Sequence, residues 1–183
     1  MRLEQDDELV ASAREGDERA FDELVSRHAR RVYALVVRLV VDRTAAEDVA
    51  QETFVRAWRA LPSFRGDAQF STWLYRIAVN EANRLLAREA RREIVSYEDV
   101  MEQVPDLSAD VPARAESSET RRLLESLLAE LPGHYRAAVV LRDVEGFTNE
   151  EAAHLLELDL RNFKSRLHRG RMVFRHRLED LSP

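Results

Sequence analysis

Residues 131–171, LPGHYRAAVVLRDVEGFTNEEAAHLLELDLRNFKSRLHRGR, decide the fold. Leu131, Pro132 and Gly133 end whatever helix precedes them, and apolar positions then recur at helical spacing from His134 to about Val144. Thr148 with Glu151 three residues on has the form of a capping box, so a second helix opens there. Asp159 is a good N-cap for a third helix that runs to about Leu178. Only residues 157–159 separate the last two helices, and so tight a joint points to a helix-turn-helix. The final helix has an apolar stripe of Leu160, Phe163, Leu167, Phe174 and Leu178. Its other face carries Arg161, Asn162, Lys164, Ser165, Arg166, His168, Arg169 and Arg171. A helix of this kind fits the DNA major groove, where Arg pairs with guanine and Asn with adenine, while later Arg residues meet phosphates. The competing reading is a surface helix with scattered Arg. The tight turn, and six Arg and one Lys over residues 161–177 with no acid, weigh against it.

Working back along the chain, helical periodicity continues and strand signals are nearly missing. After Gly16, Asp17 is a plausible N-cap, and Phe21, Val25, His28, Val32, Leu35 and Leu39 repeat at three to four residues. A second helix is expected to open at Thr44, with Glu47 completing a capping box, and to stop near Ala60 before Pro62. Pro62 to Gln69 reads as a loop, and a third helix follows from about Ser71 to Arg91. Residues 92–115 lose the pattern; Pro105, Pro112 and six acids there suggest a flexible acidic linker and a domain boundary. Periodicity resumes near Glu116. The expectation is an all-α protein of two small helical domains, residues 1–91 and 116–183, joined by that linker.

The loop and third helix hold a second constellation. Phe64, Arg65, Phe70, Trp73 and Tyr75 lie close in sequence to Arg76, Asn80, Asn83, Arg84 and Arg88. Phe70, Trp73, Leu74 and Ile77 fit an inward stripe, and Arg76, Asn80, Asn83, Arg84 and Arg88 a polar one. Capture of single-stranded DNA needs flat surfaces for stacking and cations for the backbone, and reading an unstacked base needs amide or backbone hydrogen bonds. Phe70 and Trp73 read as core; for Phe64 base contact and core packing both fit. In the preceding helix Val49, Phe54, Ala57 and Leu61 can face the core, while Asp48, Gln51, Glu52, Arg56 and Arg59 share another face. Taken alone, that face is a solvated one with a Glu52–Arg56 pair worth a few tenths of a kcal/mol.

Bulk properties bound the rest. The formal net charge of −6 argues superficially against nucleic acid, but the acids concentrate in residues 1–24 and 93–130, away from the basic tail. Cysteine is absent, which excludes disulfides and thiolate metal sites. No apolar run reaches membrane-spanning length and the acidic N-terminus lacks a signal-peptide pattern, so a soluble cytoplasmic protein without membrane insertion is expected. Glu151 and His154 have Glu-x-x-His spacing, but a di-iron site needs a second copy and two further Glu. With no phosphate loop and no nucleophile elbow either, no catalytic residue, metal or cofactor is expected.

Residues 131–171 resemble region 4 of extracytoplasmic-function sigma factors, members of the sigma-70 family. Leu131, Pro132, Arg136, Leu141, Arg142, Gly146, Glu151, Ala152, Lys164, Ser165, Arg166, Leu167, Arg169 and Arg171 carry the likeness. Residues 63–89, SFRGDAQFSTWLYRIAVNEANRLLARE, are similar to regions 2.3 and 2.4 of that family, and residues 44–61 to its region 2.2. The resemblance implies a non-enzymatic promoter-specificity subunit that binds core RNA polymerase and promoter DNA. It implies −35 recognition by Arg161, Asn162, Lys164, Ser165, Arg166, Arg169 and Arg171. It implies a −10 pocket lined by Phe64, Arg65 and the backbone of residues 66–69, with Asn80 on its wall and Arg76, Asn83, Arg84 and Arg88 facing the DNA. It implies polymerase docking through Asp48, Gln51, Glu52 and Arg56, and an anti-sigma factor as a further partner. Two alternatives stay open: a stand-alone helix-turn-helix regulator, which would bind duplex tightly without polymerase, and a helical interaction module whose Arg face binds acidic partners.

Overall fold

The computed structural model describes residues 4–93 and 118–180. Within them the chain forms helices α1 (Glu4–Arg14), α2 (Glu18–Val40), α3 (Arg43–Ala60), α4 (Phe70–Glu93), α5 (Ser118–Glu130), α6 (Gly133–Val139), α7 (Asn149–Leu155) and α8 (Leu160–Asp180), with no strand among the described residues. A 3₁₀ turn, Leu61–Ser63, follows α3, and a π turn, Val140–Val144, continues α6. Nearly all of the expected linker, residues 92–115, lies outside the described residues. The chain divides into two compact units, Met1–Ala82 and Asn83–Pro183, with α4 running through the division.

In the first unit the ends of α2 are set by local chemistry. Asp17 Oδ1 accepts from the amides of Arg19 and Ala20 at 2.9 and 3.3 Å, satisfying two donors that a helix start leaves open. Val41 then takes φ 70°, and Asp42 Oδ1 accepts from the Ala45 amide at 2.7 Å. The expected Thr44–Glu47 box is therefore corrected: Asp42 caps α3, and Thr44 already lies inside the helix. An acid two residues upstream offers the same capping chemistry as the threonine, and the joint closes around it.

Leu24, Val32, Leu35, Val36 and Leu39 of α2, Ala46 and Ala57 of α3, Leu61, and Leu74, Ala78 and Val79 of α4 are buried. Each large aliphatic side chain removed from water contributes roughly 1.5–3 kcal/mol. His28 on the α2 stripe is buried too; its Nε2 meets Asp6 Oδ2 at 2.9 Å, which ties α1 to α2. Beside it Arg27 bonds Glu23 at 2.9 Å and Asp6 at 3.2 Å. The hydrogen bond to Glu23, with a smaller one to Asp6, raises the Arg27 guanidinium above its ordinary value against the opposing effect of burial, so it stays charged throughout the accessible pH range.

In the second unit, Arg136 of α6 is buried and donates from Nη1 to the carbonyls of Ala129 and Leu131 at 3.2 and 3.0 Å. It thereby caps the C-terminal end of α5 with a cation, the charge that end favours. The Thr148–Glu151 box forms as expected: the Glu151 amide donates to Thr148 Oγ1 at 3.1 Å, and the Thr148 amide to Glu151 Oε2 at 3.0 Å. Asp159 Oδ1 accepts from the Asn162 amide at 2.8 Å and starts α8. The inner stripe of α8 is Phe163, Leu167, Gly170 and Phe174. Leu160, expected in that stripe, is exposed. Gly170 takes part instead because α6 passes so close: a Cβ there would sit 2.8 Å from Val139 Cγ2 and 3.1 Å from the Tyr135 carbonyl oxygen.

Candidate nucleic-acid and protein interfaces

With Phe163, Leu167, Gly170 and Phe174 turned inward, α8 leaves Arg161, Asn162, Lys164 and Ser165 exposed, and Arg166 and Arg169 half-exposed. These side chains occupy the first turns of a helix entered through a tight joint, the geometry in which N-terminal residues reach base edges. The Asn162 amide nitrogen also donates to Asp159 Oδ2, so its side chain already braces the cap. Arg171 differs from these side chains in being engaged within its own unit. Its guanidinium grips Asp143 bidentately, Nη2 to Oδ1 at 2.6 Å and Nε to Oδ2 at 2.9 Å, with the Asp143 side chain only 6% exposed. A paired and largely buried Arg holds structure; it is not presented to phosphate. The Glu151–His154 spacing is likewise accounted for, since Glu151 is a member of the α7 cap, and no group of three or more His, Asp or Glu could hold a metal among the described residues.

On α4, Arg76, Asn80, Arg84 and Arg88 are exposed and Asn83 is half-buried. Spaced four apart along one helix, the four exposed residues make a stripe about 18 Å long. Arg65 is 83% exposed in the preceding loop, 3.1 Å from Asp67. Of the two readings of Phe64, the structure has it packed: it is buried, its ring 4.9 Å from that of Trp73 and edge-on to Phe70 at 6.2 Å. Phe70 in turn packs against Trp73 at 5.7 Å and His28 at 5.5 Å. The aromatic cluster is thus a seat for the loop and the start of α4, and Phe64 shows no open face on which a base could stack.

On α3, Asp48, Gln51 and Arg56 are exposed and Glu52 half-buried. Arg56 Nε bonds both Glu52, at 2.7 Å, and the buried Glu81 of α4, at 3.1 Å. This pair is therefore one side of a three-member network that pins α3 to α4, worth more than an isolated surface pair. The surface that the periodicity did not disclose lies beside it. Between α2 and α3 runs a groove of about 720 Å³ lined by Phe21, Val25, Tyr33, Phe54, Val55 and Trp58, with Glu18, Asp22, Glu47, Gln51 and Arg59 also lining it. Phe54, expected in the core, lines this groove, while Val49, Ala57 and Leu61 are buried as expected. The available signal was Phe54, Val55 and Trp58, one helical turn of apolar residues that widens the apolar side beyond the buried Val49 and Ala57. A groove of aromatic and branched side chains beside polar and charged ones is suited to an amphipathic partner helix. No helix among the described residues is long and apolar enough to cross a membrane.

Known proteins share this arrangement. The Sigma-70 region 2 family matches residues 24–92, and the Sigma-70, region 4 family matches residues 121–173. The chain is 37% identical to the RNA polymerase sigma-H factor of Pseudomonas aeruginosa, covering 97% of this chain and 96% of that one. It is 36% identical to the ECF RNA polymerase sigma-E factor of Escherichia coli strain K12, covering 96% and 95%. Among solved structures, CnrH in complex with the cytosolic domain of CnrY aligns with a TM-score of 0.62 at 30% identity, over 97% of this chain and 99% of CnrH. The sigma factor RpoE from Bartonella quintana shares the fold, with a TM-score of 0.61 at 23% identity over 88% of this chain and 98% of that one.

Proposed function

This chain belongs to the sigma-70 family as an extracytoplasmic-function RNA polymerase sigma factor, directing promoter-specific transcription initiation, and on that premise we propose how its residues divide the work. Residues 1–91 act as region 2, binding core polymerase and melting and holding the −10 element. Residues 92–115 are the connecting linker, and residues 116–183 act as region 4 on the −35 element. The protein works by binding alone, in the cytoplasm and without a cofactor; the polymerase makes the bonds.

The observation that carries this reading is the exposure pattern of α8: its apolar side is buried, and what it offers to solvent is Arg161, Asn162, Lys164 and Ser165, with Arg166 and Arg169 at the margin. These residues meet the −35 duplex. Arg65, Arg76, Asn80, Asn83, Arg84 and Arg88 meet the −10 strand. Asp48 and Gln51 contact the polymerase, and Phe54 and Trp58 in the adjoining groove supply the apolar anchors that dominate such interfaces. Glu52 and Arg56 contribute by holding α3 in place. The likeness to CnrH, solved with the cytosolic domain of CnrY, supports a protein partner, and an anti-sigma factor is the partner we propose.

The test is transcription in vitro from fragmented genomic DNA with purified core polymerase. Initiation at defined sites only when this protein is added is the expected result; footprints on duplex without polymerase would favour a stand-alone regulator instead. Arg166→Glu is expected to lower −35-dependent initiation roughly 10- to 100-fold while leaving core binding intact. Asn80→Ala is expected to change base preference within the −10 element, and an unchanged base profile would remove Asn80 from the pocket.

A further inference from the structure

Asp143 is a carboxylate on the inner side of its own helix, three and four residues after the buried Val140 and Val139. Helical spacing from the buried Val140 and Leu141 would turn Val144 inward too, yet Val144 is 41% exposed and the Asp143 side chain is 6% exposed. A π turn covers Val140–Val144, in which the Glu145 amide bonds the Val140 carbonyl at 2.9 Å, five residues back. Such a turn winds less per residue than an α-helix and so shifts every following side chain around the helix axis, and π turns occur often at functional sites. Here a valine is left in water and a carboxylate is taken inside, which is costly unless the carboxylate has a partner fixed in direction. That partner is Arg171 of α8, held through both oxygens. Immediately before it Gly170 brings α8 against Val139 and Tyr135.

From this geometry we propose that Asp143 is a positioning residue for −35 recognition: through Arg171 it fixes the rotation of α8 about its own axis. The proposal rests on α8 being the −35 reader. The close glycine contact limits how far α8 can lift, and the apolar seat of Phe163, Leu167 and Phe174 leaves small rolls cheap while its area stays covered. A bidentate Arg–carboxylate pair is planar and directional, and it stops the roll. Arg166 lies five residues before Arg171, so an error in rotation at the ion pair moves the reading side chains sideways across the base-pair edges. Base-edge hydrogen bonds tolerate little of that; phosphate contacts tolerate more. The pair therefore acts on sequence discrimination more than on total affinity.

The experiment measures initiation by holoenzyme on two templates, one with the intact −35 element and one with it scrambled, and compares their ratio. Asp143→Asn is expected to lower the ratio roughly tenfold, with core binding unchanged. Because a half-paired Arg171 could unfold the unit, a second variant separates position from stability. Asp143→Leu combined with Arg171→Met replaces the pair with apolar groups, an exchange that commonly keeps or raises stability. This double variant is expected to melt no lower than the parent and still to lose −35 discrimination. A stable double variant with the parental ratio overturns the proposal, because the pair would then be only a fold contact. If the double variant melts lower than the parent, the ratio is read on Asp143→Asn at a temperature where its melting curve is fully native, and a parental ratio there also overturns it. A parent protein that does not distinguish the two templates would instead sink the −35 reading of α8, a result visible in the control lane alone.

Discussion

Helices α4 and α8 each present a cationic stripe; both bury an apolar side and both carry a charged contact, and their seats differ in where the weight lies. The start of α4 sits among aromatic rings, with Phe64, Phe70 and Trp73 in mutual contact, His28 against Phe70, and Leu74, Ala78 and Val79 buried behind them. The middle of α8 is held by a backbone-close glycine and a buried ion pair. Apolar seats are strong but not directional; small shifts cost little as long as the area stays covered. Under the proposed division of work, that suits a helix whose loop has to adapt to an unstacked strand. A directional polar seat holds one orientation, which under the same proposal suits the reading of a stiff duplex. On this view the two helices differ less in their charges than in what is allowed to move beneath them.

The comparison is broken most directly at Phe70. Phe70→Ala removes the ring that links Phe64, Trp73 and His28, and a loss of about 3–5 kcal/mol from the first unit is expected in denaturant titration. A loss below about 1 kcal/mol would mean that the aromatic cluster is not what seats α4. Gly170→Ala probes the other seat. The added Cβ meets a valine methyl that can turn and a Tyr135 carbonyl oxygen that cannot. Overpacking costs of roughly 1–3 kcal/mol act against about 1 kcal/mol gained from better helix propensity. A net loss of about 1 kcal/mol is expected, partly reversed by Val139→Ala in the same chain. A Gly170→Ala protein more stable than the parent would show that α6 and α8 are free to separate, and the contrast between the seats would fall.

Much of the fold was legible because helix starts are local. Asp17, the Thr148–Glu151 box and Asp159 act on amides two or three residues away, and each was readable from its own few letters. The first start of α3 was misread where two such signals competed, Asp42 and Thr44, and nothing local ranks them. Periodicity told which residues share a face but not which face finds a neighbour. Phe54 has the spacing of a core residue and lines an open groove; Leu160 has the spacing of the α8 stripe and meets water. Phe64 needed the rings of Phe70 and Trp73 to settle it inside. Arg171 looks like one more base on a basic helix because its acid is 28 residues earlier, beside a π turn that no short motif announces.

The smallest expected effect comes from the joint that delivers α8 to its seat. Helix α7 ends in a Schellman motif: the Glu157 amide donates to the His154 carbonyl at 3.2 Å and the Leu158 amide to the Ala153 carbonyl at 2.9 Å. The end of α1 repeats it, with the Gly16 amide on Ala13 at 3.1 Å and the Asp17 amide on Ser12 at 3.2 Å. At the residue that must turn left-handed, α1 has Gly16 at φ 97° and α7 has Glu157 at φ 54°. The same hydrogen bonds are thus made once without strain and once around a Cβ. Glu157→Gly removes the strain but adds freedom to the unfolded chain, so a net gain of about 0.5 kcal/mol is expected in the second unit. Glu157→Asn, which tolerates the conformation, should recover part of that gain, and Gly16→Glu should cost the first unit about 1 kcal/mol. Both Glu157 variants also take an exposed acid from beside the basic face, so duplex binding should tighten equally on cognate and scrambled −35 sequences. A loss of stability in Glu157→Gly would mean that the glutamate side chain itself holds the joint, and the symmetry drawn here between the two turns would not stand.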